Sequence, residues 1–241
     1  MRYGVISDIH GNLEALEVVA DALADENIDK ILCPGDIVGY GANPAECIKI
    51  LTGLNTIVVC GNHDAGSVGL SDINCFNEAA RIAVLWTRKT LTESDIIYLK
   101  NLEFVYKDRS ITLVHGTLQE PEEFHYMLDE KAARATFDLM DTTVCFIGHS
   151  HVPGAFIYRK NRADYTNAEI IKVRNAEKVI INAGSVGQPR DGNPSLCYCV
   201  YDTDKERITF KRLPYNVPKA QGKILKAGLP HFLAHRLSQG V

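Results

Sequence analysis

Apolar and polar positions follow two different periods along the chain, and the balance between them shifts past the middle. Arg2 to Ser7 forms a short apolar run that predicts a strand. A helical stripe follows in Leu13, Leu16, Val19, Ala20 and Leu23, with Asn12 placed to cap it and an end near Asp25. Lys30 to Cys33 predicts a second strand. Asn43-Pro44-Ala45-Glu46 sets a cap, a proline at the first helical position and an acid at the third, so a helix to about Leu51 is expected. Thr56 to Cys60 predicts a third strand, and helical patterns cover roughly Phe76 to Lys89 and Glu93 to Asn101. Phe104 to Lys107 and Ser110 to Val114 pattern as a hairpin. A helix over Lys131 to Met140 and a buried strand over Thr143 to Ile147 complete this half. Strands then dominate: Gly154 to Tyr158, Glu169 to Val173, Val179 to Asn182, Leu196 to Tyr201 and Arg207 to Arg212. From Pro218 the pattern is helical, interrupted by Gly228 and Pro230. Alternating strands and helices followed by consecutive strands predict an α/β domain with a mixed sheet or two packed sheets.

With 241 residues, 46% of them hydrophobic, the chain can bury a full core as a single domain over residues 1–241. The net charge of -4 excludes a uniformly basic, nucleic-acid-coating surface. That charge is uneven. Residues 205–241, a strand and helices expected to pack on the body, hold eight basic residues with Glu206 as their one acid. This segment reads either as a solvated, self-neutralising face or as a landing surface for a nucleotide or nucleic acid. No signal peptide and no membrane-spanning apolar stretch is visible. The seven cysteines are odd in number and form no CxxC pair. They read as reduced core thiols of a cytoplasmic protein, Cys197 and Cys199 as packing residues on one strand face.

The candidate chemistry lies at strand ends. Five apolar strands each run into a polar group of metal-ligand type: Asp8-Ile9-His10, Gly35-Asp36, Gly61-Asn62-His63-Asp64, His115-Gly116 and Gly148-His149-Ser150-His151. In open α/β sheets the carboxyl ends of strands line the ligand site. Asp8, His10, Asp36, Asn62, His115, His149 and His151 are too many ligands for one ion. Two ions sharing a carboxylate would use them all. Mixed His, Asp and Asn donors suit Mn, Fe or Zn, and the lack of cysteine argues against a structural zinc site. His63 is left over from the ligand count and is the natural general acid. His125, His231 and His235 read as surface residues.

These motifs, in this order, resemble the calcineurin-like metallophosphoesterase superfamily over residues 1 to about 190. The resemblance implies a sandwich of two packed mixed β-sheets flanked by helices, with a dinuclear metal site at one edge. It implies that Asp8, His10, Asp36 and His151 bind a first metal and that Asp36 bridges to a second held by Asn62, His115 and His149. It implies that His63 protonates the leaving group or holds the phosphate, and that a metal-bridged hydroxide attacks phosphorus. Asn182-Ala183-Gly184-Ser185 resembles a later family segment that carries proline where this chain has Ala183.

The protein serine/threonine phosphatase branch reads GDxxDRG, and here Gly39 and Tyr40 stand in place of its acid and arginine. Gly39-Tyr40-Gly41-Ala42-Asn43-Pro44, with Gly187-Gln188-Pro189-Arg190-Asp191 later, resembles a bacterial and archaeal subgroup of small phosphoesterases, some relatives of which hydrolyse dinucleoside polyphosphates such as diadenosine tetraphosphate. Arg190, in a glycine- and proline-rich loop, is expected to grip phosphate in place of the missing arginine. Tyr40 is expected either to stack on a base or donate to phosphate, or to pack the loop. The expected partner is a small phosphorylated substrate, with no membrane; a nuclease or a non-catalytic scaffold on the same fold are the lesser alternatives.

Overall fold

A computed structural model describes residues 1–241. In chain order its main elements are β1 (Arg2–Val5), α1 (Leu13–Asp25), β2 (Lys30–Cys33), α2 (Pro44–Gly53), β3 (Ile57–Val58), α3 (Asn62–Val68), α4 (Glu78–Thr90), α5 (Glu93–Lys100), β4 (Val105–Lys107) and β5 (Ile111–Val114). They continue with α6 (Glu130–Leu139), β6 (Val144–Ile147), β7 (Gly154–Arg159), β8 (Arg162–Thr166), β9 (Ile170–Lys172), β10 (Lys178–Asn182), β11 (Leu196–Asp202), β12 (Arg207–Leu213), α7 (Val217–Lys226) and α8 (His231–His235).

Two six-stranded sheets result, ordered β3-β2-β1-β11-β12-β9 and β4-β5-β6-β10-β7-β8. Both are mixed. The first is parallel from β3 to β1 and antiparallel beyond; the second is parallel only across β5-β6-β10. The largest core lies between the sheets and includes Val5, Leu32, Leu113, Phe146, Ile181 and Cys199. Ile6, Leu16, Val19, Leu51 and Tyr198 form a second core under α1 and α2, and Phe137 packs under α6 on the other sheet. The architecture is therefore helix, sheet, sheet, helix. Strand alternation explains β11: Cys197 and Cys199 face the inter-sheet core while Tyr198 and Val200 face the helices. All seven cysteines are free, and six are buried.

The structure departs from the sequence expectations at a few places, each with a reason. Helix α3 occupies residues expected to be a strand-end loop. Gly61 is its N-cap, and Asp64 at the third position accepts from the Gly61 N–H at 3.1 Å. Strand β8 went unread because its Arg-Ala-Asp-Tyr-Thr sequence lies on an exposed edge with no buried face. It pairs with β7 across Lys160 and Asn161, whose φ of 50° and 63° fit a two-residue hairpin turn. Asn12 caps α1 as expected, accepting from the Ala15 N–H at 3.2 Å. Asn43 does not cap α2 with its side chain, which donates instead to Glu46 Oε1 at 2.9 Å.

The basic C-terminal segment is largely spent on the acids of the body. Lys219 and Lys223 approach the buried Glu14 carboxylate at 3.2 and 2.6 Å. Lys211 pairs with Glu26, Lys205 with Asp202 and Arg212 with Asp191. This favours the self-neutralising reading over the landing surface. Ala220, Ile224, Leu233 and Leu237 of this segment also form a cluster around Tyr40. No helix is long and apolar enough to cross a membrane.

Candidate metal centre

The loops after β1, β2, β5 and β6, together with the start of α3, meet at one edge of the sandwich. Five of the seven candidate ligands leave their strands in the left-handed backbone region: Asp8, His10, Asp36, His149 and His151, with φ between 52° and 70°. Non-glycine residues rarely adopt it, and such strain concentrates at functional sites. The surrounding hydrogen bonds hold it in place. The Asp8 N–H donates to Gly35 O at 3.1 Å and the His10 N–H to Asp36 O at 3.0 Å. Ser185 Oγ donates to Asp8 O at 2.7 Å, and Asn182 Nδ2 donates to Gly148 O at 2.7 Å. The 182–185 segment thus braces two of the ligand loops. Asp64, only a sequence neighbour of His63 in the motif, accepts from the backbone N–H groups of Asp36, Val38 and Gly61 at 2.8–3.1 Å. It positions the loop that carries Asp36.

The seven side chains come together as expected. Asp8, His10, Asp36 and His151 form one group with ligand atoms within 4.8 Å, and Asp36, His115 and His149 form a second. Asp36 belongs to both. Asn62 Oδ1 lies 3.1 Å from His115 Nε2, beside the second group.

Their tautomers show what the groups are built for. His10 Nδ1 faces Val38 O at 3.1 Å, His151 Nδ1 faces Gln188 O at 2.6 Å and His115 Nδ1 faces Pro34 O at 2.7 Å. A carbonyl only accepts, so each Nδ1 carries hydrogen and each neutral ring turns a bare Nε2 lone pair inward. Two of those lone pairs, on His10 and His151, meet at 3.0 Å. His115 Nε2 meets His149 Nδ1 at 3.1 Å and Asp36 Oδ2 at 3.3 Å. The His10 and His151 acceptors repel at this distance unless a cation lies between them, and beside Asp36 either a proton or a cation must sit. The donor chemistry therefore fits two divalent ions.

The charges agree. Burial pushes Asp8 upward and the His10, His149 and His151 pKa values well down. Burial would lower His115 too, but the Asp36 carboxylate reverses this and brings it up to about 9. Without a cation, a proton thus takes its place beside Asp36.

His63 is buried next to this centre but belongs to neither donor group. Its backbone N–H donates to Asp36 Oδ1 at 2.8 Å, while its Nδ1 has no partner. The acid expected to orient such a ring is replaced by Gly39 at φ 90°, and the ring lies directly against it. Orientation comes from packing: Tyr40, His10 and Phe76 stand 4.3, 4.8 and 5.1 Å from the His63 ring centre. Burial lowers the His63 pKa to about 4.

The model of the calcineurin-like phosphoesterase superfamily domain matches residues 1–206, which takes in all of these motifs. The chain belongs to that superfamily. As a phosphoesterase it is a hydrolase. It is 38% identical over 240 residues to an uncharacterized protein of Methanocaldococcus jannaschii, covering 98% of this chain and 97% of that one. The crystal structure of a metallophosphoesterase from Sphaerobacter thermophilus superposes with a TM-score of 0.88 at 38% identity, covering 100% and 99% of the two chains. A symmetrical bis(5'-nucleosyl)-tetraphosphatase of Nitrosococcus oceani is 30% identical over 143 residues, 56% of this chain and 49% of that protein.

In this phosphoesterase the centre opens into a cleft of about 910 Å³. Arg190 lines it at the end of the first donor group, with Nη2 2.9 Å from Gln188 Oε1 and 3.5 Å from the Tyr40 hydroxyl. Arg190 thus lies beside Tyr40. Tyr40 is itself buried, with the Arg190 and Arg236 guanidiniums 5.7 and 5.9 Å from its ring centre. It packs between the C-terminal segment and the centre and also lines the cleft. His125 is exposed as expected, yet on the cleft rim. His231 and His235 are exposed on α8. Sequence reasoning missed Phe76, Tyr126 and the rim acids Asp72, Glu122 and Glu123. No motif marks them; they reach the cleft through loops whose course only the fold sets.

Proposed function

We propose that the chain is a two-metal phosphoesterase acting on a small phosphodiester, phosphomonoester or nucleotide-type phosphoanhydride. Asp8, His10, Asp36 and His151 hold one ion, and Asp36, Asn62, His115 and His149 the other. One observation carries the reading: two donor groups, with inward lone pairs fixed by backbone carbonyls, overlap at a single buried carboxylate. Divalent Mn, Fe or Zn bound there supplies Lewis-acid stabilisation and water acidified towards neutral pH.

The chain's own residues bind and orient. Arg190 grips a phosphoryl oxygen at the first donor group. His63 presents its ring to the leaving side. Its Nδ1 is buried without an acceptor, so hydrogen on Nε2 is the favoured tautomer. With the pKa at about 4, that ring acts as a neutral hydrogen-bond donor to the leaving oxygen. Asp64 holds Asp36 in register.

Against a nuclease stand three exposed acids on the cleft rim, where a nucleic-acid groove needs basic residues. Against a protein serine/threonine phosphatase stand Gly39 and Tyr40. The complete donor set speaks against a scaffold. Hydrolysis of dinucleoside tetraphosphates, suggested by the Nitrosococcus relative, is the second reading. Seven unpaired thiols support a reducing, cytoplasmic setting.

The test is metal analysis of the purified protein, joined to a manganese-, iron- or zinc-supplemented panel of mono-, di-, cyclic and dinucleoside polyphosphate substrates. Two bound ions and turnover lost in His63→Ala are expected. A protein that binds no ion, or that turns over no ester above the variant's rate, overturns the proposal.

A further inference from the structure

Tyr126 stands over the second donor group with one ring face in use. Its ring stacks on the His149 imidazole at 3.7 Å and 18°, yet the residue is 49% exposed. The other face has no aromatic partner, and Tyr126 lines the cleft. The segment that carries it is anchored firmly. It enters through Glu120 at φ 48°, makes the single turn Pro121–Glu123 and leaves through Phe124 at φ 52°. Phe124 is buried and edge-on to His115 at 5.9 Å. Gly116 lies so close to the Phe124–His125 backbone that a Cβ there would meet the Phe124 carbonyl carbon at 3.1 Å. The aromatic face is thus fixed before any ligand arrives, which removes an ordering cost from binding.

The cleft lining carries more acids than cations. Arg190, at the first donor group, is its one Lys or Arg side chain. Glu122 and Glu123 belong to the same turn as Tyr126, and Asp72 adds a third exposed rim carboxylate. The turn that carries Tyr126 therefore offers acceptors, the nearby Arg236 guanidinium being packed against Tyr40. It suits a flat, uncharged group carrying hydrogen-bond donors.

We infer that the exposed face of Tyr126 is a stacking platform for the nucleobase of a mononucleotide-type substrate, with Glu122 and Glu123 as acceptors for its sugar hydroxyl or base amino donors. The inference rests on the phosphoesterase reading, because the metal centre and Arg190 fix where the phosphate lies. It narrows that reading to esters whose leaving or retained group is a nucleoside.

The test compares adenosine monophosphate with ribose 5-phosphate, which carries a hydroxyl in place of the base, by calorimetric titration of the metal-loaded protein. Wild type is expected to bind the nucleotide about tenfold more tightly, the scale of one base–aromatic stack. Tyr126→Phe keeps that gap and Tyr126→Ala closes it, with metal content measured in each. Should Tyr126→Ala lose metal, Tyr126→Leu keeps bulk against His149 without an aromatic face and is expected to close the gap instead. Equal affinity for the two ligands in wild type, or a gap that survives in the variant without the ring, overturns the inference. A gap that depends on Tyr126 in a protein that hydrolyses no phosphoester leaves the platform standing and removes the phosphoesterase reading. Turnover without a gap does the reverse.

Discussion

Gly39→Ala tests whether packing, and not an acid, holds His63 in place. Gly39 has φ 90°, a region that costs an L-residue about 1–2 kcal/mol. For a domain of this size that is a loss of roughly 2–8 °C in Tm. The new methyl group would also stand 2.9 Å from Cγ and 3.0 Å from Cβ of His63, and closer still to Nδ1. Ordinary contact begins at 3.4 Å, so the ring must retreat by about an ångström to clear Nδ1. Tyr40 and Phe76 close off the sides. A 1 Å misplacement can cost about 100-fold in rate, so a fall of about 10- to 100-fold in kcat/KM is expected. The assay is steady-state hydrolysis of the best substrate beside thermal unfolding, with metal stoichiometry measured. The metal content should not change, because His63 is outside both donor groups. Wild-type kcat/KM and wild-type Tm together would refute the reasoning. The same geometry means that Gly39→Asp cannot simply install the acid found in the protein phosphatase branch, since its Cβ meets the same ring.

Four further outcomes follow from the site. Asp36→Asn should lower kcat by about 10²–10³-fold or more and reduce bound metal from two ions, checked by turnover and elemental analysis. His63→Ala should slow esters of alkyl alcohols by about 10²–10⁴-fold and nitrophenyl esters much less, because a good leaving oxygen needs no donor. Equal losses on both would remove His63 from the leaving side. Arg190→Ala should raise KM by about 10- to 100-fold, the worth of a charged hydrogen bond; unchanged KM and kcat would assign Arg190 to the loop alone. Metal uptake by the metal-free protein should release protons at pH 7.5. His115, raised to about 9 by Asp36, is protonated there without a cation and must be neutral to bind one. Titration calorimetry in buffers of different ionisation enthalpy measures this, and no net release would contradict the assignment of His115 as a ligand.

The convergence of the candidate ligands was legible because each member follows an apolar strand, and strand ends meet on one edge whatever the connecting helices do. Periodicity served the buried elements equally well, since burial on a known face is what periodicity records. It failed at β8, which has no buried face, and at α3, where the motif residues Asn62, His63 and Asp64 looked like loop although Asp64 supplies a helix-start acid. Two features of the centre have no one-dimensional trace. The left-handed backbone at Asp8, His10, Asp36, His149 and His151 is imposed by hydrogen bonds from residues as distant as Ser185. The inward lone pairs depend on carbonyls of Pro34, Val38 and Gln188, whose side chains play no part. Tyr126 and its neighbouring acids were likewise invisible, because a loop residue's chemistry depends on what it is folded against.

The wall behind Tyr40 has a consequence for biosynthesis. Every proposed ligand lies at or before His151, but β11, which separates β1 from β12, is made later, and Tyr40 is backed by Ala220, Ile224, Leu233 and Leu237. A chain emerging from the ribosome N-terminus first thus exposes its full complement of metal donors well before the sheet and wall that shape them. Nascent chains arrested near residue 195 should carry the donors without a finished cleft, and arrested-chain assays should find hydrolysis only after Leu237 has cleared the exit tunnel. Competence is then tied to the arrival of the residues that back Tyr40, and chains cut before α7 are expected to hold donors without a shaped cleft.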